Sequence, residues 1–563
     1  MTLLSAADSR QGTLADPVVR VQGLQKHYGQ LQAVRGIDFT VSKGEIFGLI
    51  GPDGAGKTTT FQILSGVMNA TAGSVQVLNQ APRDARLGIG YLTQQFSLYL
   101  DLSIEENLRY TAGLRQIPQD LFRQRRDHYL RLMSLDPFRD RLAGQLSGGM
   151  KQKLALCCAL VSQPQVLLLD EPTTGVDPVS RREFWDLLAA IASEGVTIVV
   201  ATPYLDEAER CNRIALMYNG QIHEIGTLAQ LRADLGLQRL EVRPPHLERA
   251  EIALLGSVTH PATQIADVQT FGDRLDVLVR EAELGQAEVR QILHSQADLA
   301  PEAIQATDVT LENVFVTRLR QQGSDPAFVP FPRRRQLQQA GDPVAIQAEG
   351  LQKMFGGFTA VNRVDLEIRY GEIYGLLGAN GAGKTTTIKM LCGLLPASAG
   401  QMILGGEAGN LRSSALRRRI GYMSQKFTLY DDLTIGENLE FYCGVYGVPR
   451  QLRRQQIDWV LTTCGLMGQE QMLTGKLPGG WKQRVAFGAS VMHEPEILFL
   501  DEPTSGVDPL ARRQFWRLIR DFARNGTAVL ITTHYLEEAE NCHRMGFMVA
   551  GQIVVQGSPS QIK

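Results

Sequence analysis

The sequence predicts two α/β domains of one architecture, each built on a largely parallel sheet, with a small α+β module between them. Three observations predict it. The pattern G-x-x-x-x-G-K-[ST] occurs twice, at Gly51-Pro52-Asp53-Gly54-Ala55-Gly56-Lys57-Thr58 and at Gly378-Ala379-Asn380-Gly381-Ala382-Gly383-Lys384-Thr385. The segments that follow recur in one order at a near-constant spacing. In each copy a continuous apolar run, Val166 to Leu169 and Ile497 to Leu500, ends in Asp-Glu, as expected of strands covered on both faces.

The glycine-rich stretches carry the chemistry first. The second follows the apolar run from Glu372 to Leu377 and leads into helix-compatible Thr386 to Leu391, so strand, loop and helix succeed one another. Glycines let successive N–H groups turn toward one anion, and the helix start adds positive dipole character. Lys57 and Lys384 would neutralise the β/γ-phosphates of a nucleotide. The hydroxyls of Thr58 and Thr385, each followed by a further threonine (Thr59, Thr386), would ligate Mg²⁺.

The repeat extends well beyond the loops. Gly90-Tyr-Leu-Thr-Gln94 returns as Gly421-Tyr-Met-Ser-Gln425, and Leu146-Ser147-Gly148-Gly149 as Leu477-Pro478-Gly479-Gly480. Asp170-Glu171-Pro returns as Asp501-Glu502-Pro, Gly175-Val-Asp-Pro as Gly506-Val-Asp-Pro, and Tyr204-Leu-Asp-Glu as Tyr535-Leu-Glu-Glu. The offset is 331 for Gln94/Gln425 and Asp170/Asp501 (425−94, 501−170) but 327 for Lys57/Lys384 (384−57), so the second copy gained four residues before its glutamine. The domains read as residues 17–228 and 344–563, with a flexible amino terminus over 1–16. The Asp-Glu carboxylates emerge at the carboxyl edge of the sheet, where open α/β folds bind ligands.

Between the copies the texture changes. Arg239 to Arg243 and Arg274 to Val279 alternate like half-exposed strands, Gln286 to Gln296 reads as a helix, and Asp308 to Leu319 begins with capping candidates before apolar spacing. Residues 229–320 therefore read as an α+β accessory module. Residues 321–343, with Gly323, Pro326, Pro330, Pro332, Gly341 and the basic run Arg333 to Arg335, read as a solvated linker.

Bulk properties exclude more than they assign. The 563 residues are 44% hydrophobic and 21% charged with a formal net charge of −2, an ordinary globular composition without overall pull toward nucleic acid or anionic lipid. No apolar run approaches the roughly 20 residues of a membrane helix, and the amino terminus lacks the basic lead of a secretory signal. Seven cysteines without a C-x-x-C pair fit a reducing compartment and suggest no metal cluster, with Cys157-Cys158 read as buried thiols in a helix.

Taken in order, the phosphate loop, glutamine segment, Leu-Ser-Gly-Gly signature, Asp-Glu strand end, Gly-Val-Asp-Pro turn and downstream histidine resemble tandem ATP-binding-cassette proteins over both repeats. The match is similar to the fused ATPase subunit of bacterial ABC-2-type exporters, to which Gln425 to Tyr430 and Leu311 to Phe315 also bear likeness. The resemblance implies two P-loop ATPase domains that pair head to tail and close two ATP molecules between them, each site combining one domain's phosphate loop with the other's signature. Asp170 and Asp501 then hold Mg²⁺, while Glu171 and Glu502 polarise the attacking water as general bases. Gln94 and Gln425 sense metal and water. Tyr28 and Phe355, each 29 residues before its lysine, are candidates to stack on adenine, with a core role the alternative for Phe355. Ser147, Gly148 and Gly149, with Gly479 and Gly480 in the second copy, donate to the γ-phosphate across the pairing.

Two departures from the family pattern stand out. The second copy has His534 where the family contacts the γ-phosphate, and the first has Pro203. The first keeps Ser147 in its signature, and the second has Pro478. Proline offers neither a side-chain donor nor an N–H. Head-to-tail pairing would bring both prolines to the Lys57 nucleotide and leave Lys384, His534 and Ser147 together, so one hydrolytic site and one degenerate site are expected. The resemblance further implies two separate ABC-2-type permease subunits and a peripheral place on the cytoplasmic side of the bacterial inner membrane. Its cargo would be drugs, other amphipathic compounds or ions, and no nucleic acid is expected. Tandem sugar-import ATPases and ribosome-associated translation factors are the alternatives. The first often degrade the second phosphate loop, and the second typically carry a charged helical linker with both signatures intact.

Overall fold

The computed structural model describes residues 17–29, 31–94, 97–174, 176, 178–258, 260, 262–272, 274–301, 303–321, 329–332, 344–408, 413–425, 428–477, 479–504, 507, 509–533 and 536–562. The chain divides into two compact units, Met1–Leu231 and Arg232–Lys563. The amino terminus read as flexible and most of the stretch read as linker, the Arg333 to Arg335 run included, lie outside the described residues.

The first unit opens with long strands β1 (Val19–Tyr28) and β2 (Leu31–Val41) and the fully buried β3 (Ile46–Ile50). The first glycine-rich loop then leads into α1 (Lys57–Leu64), β4 (Ala72–Val77) and β5 (Ile89–Leu92). Helices α2 (Ile104–Leu114), α3 (Gln119–Leu132) and α4 (Gly148–Leu160) follow. After them come β6 (Val166–Asp170), α5 (Pro178–Ser193), β7 (Thr197–Thr202), α6 (Leu205–Ala208), β8 (Arg213–Tyr218) and β9 (Gln221–Gly226).

Two sheets result. One is antiparallel in the order β2-β1-β4, and the other runs β5-β6-β7-β3-β8-β9, parallel except for its last strand. Because β3, β6 and β7 are parallel neighbours, the loops after their carboxyl ends share one edge, which brings the Lys57 loop, Asp170-Glu171 and Pro203 to one place. The core beneath that edge lies between the sheets, where Leu24, Phe39, Phe47 and Leu49 pack with Phe61 of α1, and Phe39 stacks on Phe47 at 5.4 Å. Burial of such large apolar groups stabilises each by about 1.5–3 kcal/mol, so α1 is anchored by its apolar face rather than by its modest length. Helix α2 starts at a reciprocal capping box formed by Ser103 and Glu106.

Helix α7 (Leu228–Leu235) precedes the accessory module, which contains β10 (Gln238–Arg243), α8 (Leu247–Val258), β11 (Ile265–Phe271) and β12 (Arg274–Val279). It continues through α9 (Ala282–Ala297), β13 (Ala303–Thr307) and α10 (Leu311–Gln321). The strands pair antiparallel in the order β11-β12-β10-β13. The helix expected over 286–296 falls within α9. The half-exposed reading of 274–279 is corrected: Asp276 is 1% exposed, and every residue of β12 after Arg274 is buried. Polar residues survive there because α10 covers that face with partners. Asn313 donates to Asp276 (3.0 Å) and Gln269 (3.0 Å), and Thr317 to Asp267 (2.9 Å). From the sheet, Arg239 pairs with Asp276 at 3.1 Å.

The second copy begins with β14 (Val344–Phe355), β15 (Phe358–Arg369) and β16 (Ile373–Leu377), and its glycine-rich loop feeds α11 (Lys384–Leu391). Strands β17 (Ala399–Leu404) and β18 (Glu407–Ala408), α12 (Ser414–Arg417) and β19 (Ile420–Met423) come next. Then follow α13 (Ile435–Val445), α14 (Arg450–Cys464), α15 (Gly479–Val491) and β20 (Ile497–Asp501). The copy closes with α16 (Pro509–Arg524), β21 (Ala528–Thr533), α17 (Leu536–Ala539), β22 (Arg544–Val549), β23 (Gln552–Gly557) and α18 (Pro559–Ile562).

Its sheets repeat the first copy's order as β15-β14-β17-β18 and β19-β20-β21-β16-β22-β23. The repeat offset changes between β17 and β19 (399−72 = 327, 420−89 = 331), so the four added residues fall around β18, which has no counterpart strand in the first copy. The stretch read as a solvated linker is not solvated throughout. Phe331 is 4% exposed and meets Trp459 and Phe522 at 4.7 and 5.1 Å, while Trp459 donates to the Val329 carbonyl at 3.1 Å. All seven cysteines are free, and as expected the Cys157 and Cys158 thiols are buried, burial pushing the Cys158 thiol up to about 12. Among the described residues no helix is long and apolar enough to cross a membrane, and no cluster of three or more His, Cys, Asp or Glu side chains is placed to hold a metal ion.

Candidate nucleotide sites

Each glycine-rich loop is held where only glycine fits. A Cβ on Gly51 would fall 2.0 Å from the Met217 carbonyl oxygen, and one on Gly378 would fall 2.3 Å from that of Met548. Gly56 and Gly383 cap α1 and α11 at φ 102 and 107, a left-handed conformation, without a side-chain cap. The first N–H groups of both helices are therefore left to an anion.

The lysines curl back over their loops. Lys57 Nζ donates to the carbonyls of Gly51 (2.7 Å) and Pro52 (2.9 Å), and Lys384 Nζ to those of Gly378 (2.7 Å) and Ala379 (3.1 Å). Each lysine also faces its glutamate at 3.5 Å, Lys57 with Glu171 and Lys384 with Glu502. The glutamates sit at φ 50 in both copies, a conformation that disfavours a side chain and recurs here at equivalent positions. Gln94 Nε2 donates to Glu171 (2.9 Å), and Gln425 Nε2 to Glu502 (2.8 Å). Lysine, glutamate and glutamine thus converge in both copies, and in the first Thr174 also donates to Glu171 at 3.4 Å.

The aspartates differ between the copies. Thr58 donates to Asp170 at 3.2 Å and Thr385 to Asp501 at 3.1 Å. Burial, and then the neighbouring charge of Glu171, push Asp170 up to about 6, while its bond from Thr58 pulls the other way. Burial also raises Asp501, opposed by bonds from Thr532 (2.6 Å) and Thr385. Ala201 stands where Thr532 does, so the first copy lacks that hydroxyl, and Tyr91 bonds Asp170 instead. Thr532, Tyr91 and Gln483, which donates to the Glu502 carbonyl at 3.3 Å, were missed by sequence reasoning. A threonine against an alanine one residue before the end of a repeated strand was the available signal for the first. A divalent ion fits the second site: Asp501 Oδ2 is buried beside Thr385 with no hydrogen-bond partner among the described residues.

Other candidates are spread more widely. Tyr28 is 44% exposed, and Phe355 is 50% exposed and outside the core. Both are crossed by a lysine, Lys26 and Lys353, at 5.4 and 5.2 Å. Ser147 caps α4 by accepting from the Met150 amide (3.3 Å) and is exposed with Gly148. Pro203 is buried between Thr202 and Tyr204, whose amide donates to the Thr202 hydroxyl. His534 and Pro478 lie outside the described residues, as do Gly175, Asp177, Gly506 and Asp508. Beyond each glutamine segment lies an exposed aromatic pair, Tyr99 with Tyr110 (4.7 Å) and Tyr430 with Phe441 (5.1 Å), which the sequence did not single out.

The family model described as "ABC transporter" matches residues 34–174 and 361–505, the stretches that carry both loops and both Asp-Glu ends. The chain belongs to the ABC transporter family. A second model, "AAA domain, putative AbiEii toxin, Type IV TA system", matches only 484–538, within the second cassette. The chain is 40% identical to "Probable multidrug ABC transporter ATP-binding protein YbhF" of Escherichia coli (strain K12) over 97% of this chain and 94% of that one. It is 38% identical to "Nod factor export ATP-binding protein I" of Burkholderia orbicola (strain AU 1054), over 38% of this chain and 71% of that protein. Among solved structures, "Structure of ATP binding subunit of ABC transporter" is 28% identical with a TM-score of 0.37, covering 39% of this chain and 93% of that chain. This ABC protein is an ATPase whose ATP hydrolysis is coupled to transport.

Proposed function

We propose that this chain drives efflux of drugs or other amphipathic compounds through two separate ABC-2-type permease subunits, docked peripherally at the membrane, with one hydrolytic site and one degenerate site. The export direction is supported by the multidrug ABC transporter ATP-binding relative, which matches nearly the whole chain. The observation that carries the asymmetry is Pro203, buried at the end of β7 where a γ-phosphate contact would come from a histidine.

Both sites keep the groups that bind the nucleotide: loop amides, Lys57 or Lys384, and the threonine–aspartate pair. Mg²⁺, held through Thr385 and Asp501 in one site and Thr58 and Asp170 in the other, would offset charge on the β/γ-phosphates. Glu502, already oriented by Gln425, accepts a proton from the attacking water, while His534 and Ser147 donate to the transferred phosphoryl. In head-to-tail pairing the Lys57 nucleotide meets Pro203 and Pro478 instead. Loss of one preorganised donor commonly costs about 10²–10³ in rate, so that site retains ATP and turns it over slowly.

The test compares ATPase turnover of Glu502→Gln with that of Glu171→Gln in the full chain. Glu502→Gln should abolish nearly all turnover while Glu171→Gln leaves a substantial part. The opposite ranking would reverse the assignment. Recovery of the protein with detergent-solubilised membrane proteins, rather than with pelleted ribosomes, tests the transport reading against the translation-factor alternative.

A further inference from the structure

Helix α16 of the second cassette has gained positive charge that its counterpart in the first lacks. Arg517 and Arg520 stand where α5 has Asp186 and Ala189, both exposed (517−186 = 331). In the second unit this face of α16 meets the accessory module. Arg513 pairs with Glu312 at 2.9 Å, Arg517 with Glu251 at 3.4 Å, and Arg520 reaches the Gly272 carbonyl at 3.5 Å. On the module's side Arg274 holds Glu540 of the cassette at 3.4 Å.

Between the two surfaces lies a cleft of about 60 Å³. A single water takes roughly 10–15 Å³ of such space, so the cleft has room for a small oxyanion group. Among the described residues, five guanidinium groups line it, those of Arg320, Arg512, Arg513, Arg517 and Arg520, against three carboxylates, and Arg320 is paired outside the lining with Asp267 at 2.6 Å. Each carboxylate is already engaged by an arginine: Glu312 by Arg513, Glu251 by Arg517, and Glu538 by Arg512 at 3.6 Å. The unmet hydrogen-bonding capacity is concentrated on Arg513. Its Nε serves Glu312 and its plane lies 5.3 Å from the Phe271 ring. Both terminal nitrogens, Nη1 and Nη2, are buried and find no acceptor among the described residues. Unmet donors on a buried cation are costly, and a guanidinium edge of this kind matches carboxylate or phosphate in two parallel bonds. Trp516 forms part of the same wall with Nε1 also unpartnered. Trp185 in the first cassette shares that trait, so the tryptophan alone indicates nothing.

We propose that this cleft is a binding site for a small oxyanion-bearing molecule, a phosphate or carboxylate compound, gripped by the outer edge of Arg513 between the accessory module and the second cassette. The site is separate from the phosphate loops and does not rest on which of them hydrolyses ATP. Its chemistry suits either a free phosphorylated or carboxylated solute or the headgroup of an anionic lipid.

The test uses the full chain labelled with 5-fluorotryptophan, whose four tryptophans give separable ¹⁹F signals, with Trp516→Phe assigning one of them. MgADP is kept saturating so that the phosphate loops are filled. Inorganic phosphate, phenyl phosphate and phosphatidylglycerol vesicles are then titrated separately. A saturable shift of the Trp516 signal is expected with at least one probe, weakened by roughly 10- to 100-fold in Arg513→Gln. A response to the soluble phosphates assigns a free solute, and a response to vesicles alone assigns a lipid headgroup. Arg513→Lys keeps the charge but not the planar fork, and should also bind more weakly; it decides the matter if Arg513→Gln does not fold. A Trp516 signal that no probe moves, or one that moves equally in the wild type and the Arg513 variants, overturns the proposal.

Discussion

Asp170 shows what a buried carboxylate does to an ATPase before any nucleotide arrives. Its pKa is raised to about 6, by burial first and by Glu171 second, above the usual value near 3.8. The folded state therefore prefers the protonated form. The resulting stability is fully present below about pH 4, where the unfolded chain is also protonated, and is lost as the pH rises through 6. Asparagine mimics the neutral form at every pH. Nucleotide-free Asp170→Asn should thus be more stable than wild type at pH 7.5, by on the order of 1–3 kcal/mol, and the two should converge near pH 4. Denaturant unfolding at the two pH values measures this, and equal stability at pH 7.5 would count against the burial argument. Mg²⁺-dependent ATP binding at the Lys57 loop should weaken in parallel as wild type is taken below pH 6. At this scale the sequence was informative about residue types. Lys57, Thr58, Asp170 and Glu171 could be read from spacing because each must sit at a fixed step from a strand end. Tyr91 could not, because its hydroxyl reaches Asp170 from a neighbouring strand whose register no local pattern encodes, and Thr532 showed only as a threonine set against Ala201 in the repeat.

At the scale of elements, sequence reading succeeded wherever one face of an element decides its pattern and failed where a polar face is buried. Strands β6 and β20 announced themselves as continuous apolar runs. Strand β12 looked half-exposed because Asp276 alternates with leucine and valine, yet its cover is α10, some forty residues away in sequence. Phe331 likewise looked like part of a proline-rich connector, and nothing local betrays its fit against Trp459 and Phe522. The network under α10 makes a specific demand. Asn313 is fully buried, accepts from the Thr310 amide at 3.0 Å, and supplies both Asp276 and Gln269. Asn313→Ala would leave a buried carboxylate oxygen and an amide oxygen short of donors, at a cost of roughly 2–5 kcal/mol. The loss should appear as faster amide hydrogen exchange in β11, β12 and α10, with the strands of the cassette sheets largely unaffected. Uniform protection across the module in the variant would mean that packing, and not this network, holds α10 in place.

For the molecule as a whole, duplication is the most legible feature, because the same spacing written twice leaves little room for chance, and the repeated sheet orders follow from it. Docking surfaces are less legible, since exposed aromatics have no periodic signature. Tyr99 and Tyr110 recur as Tyr430 and Phe441 at the repeat offset of 331 (430−99, 441−110), between 43% and 51% exposed. Each pair lies just beyond a glutamine that bonds the glutamate proposed as general base. Paired aromatics left in solvent are costly unless they meet a partner, and two equivalent patches suit the two permease subunits proposed above. Tyr110→Glu with Phe441→Glu places a charge in both patches on the outer faces of α2 and α13. Each change forfeits an aromatic contact of about 0.5–1.5 kcal/mol, so the fold should survive with a small drop in thermal midpoint. Binding energy concentrates in such aromatics, and loss of one anchor typically costs about 2 kcal/mol or more. The fraction of protein recovered with membranes from cells co-expressing the permease genes should therefore fall at least roughly tenfold. Recovery equal to wild type from a folded double variant would move the docking surface elsewhere on the cassettes.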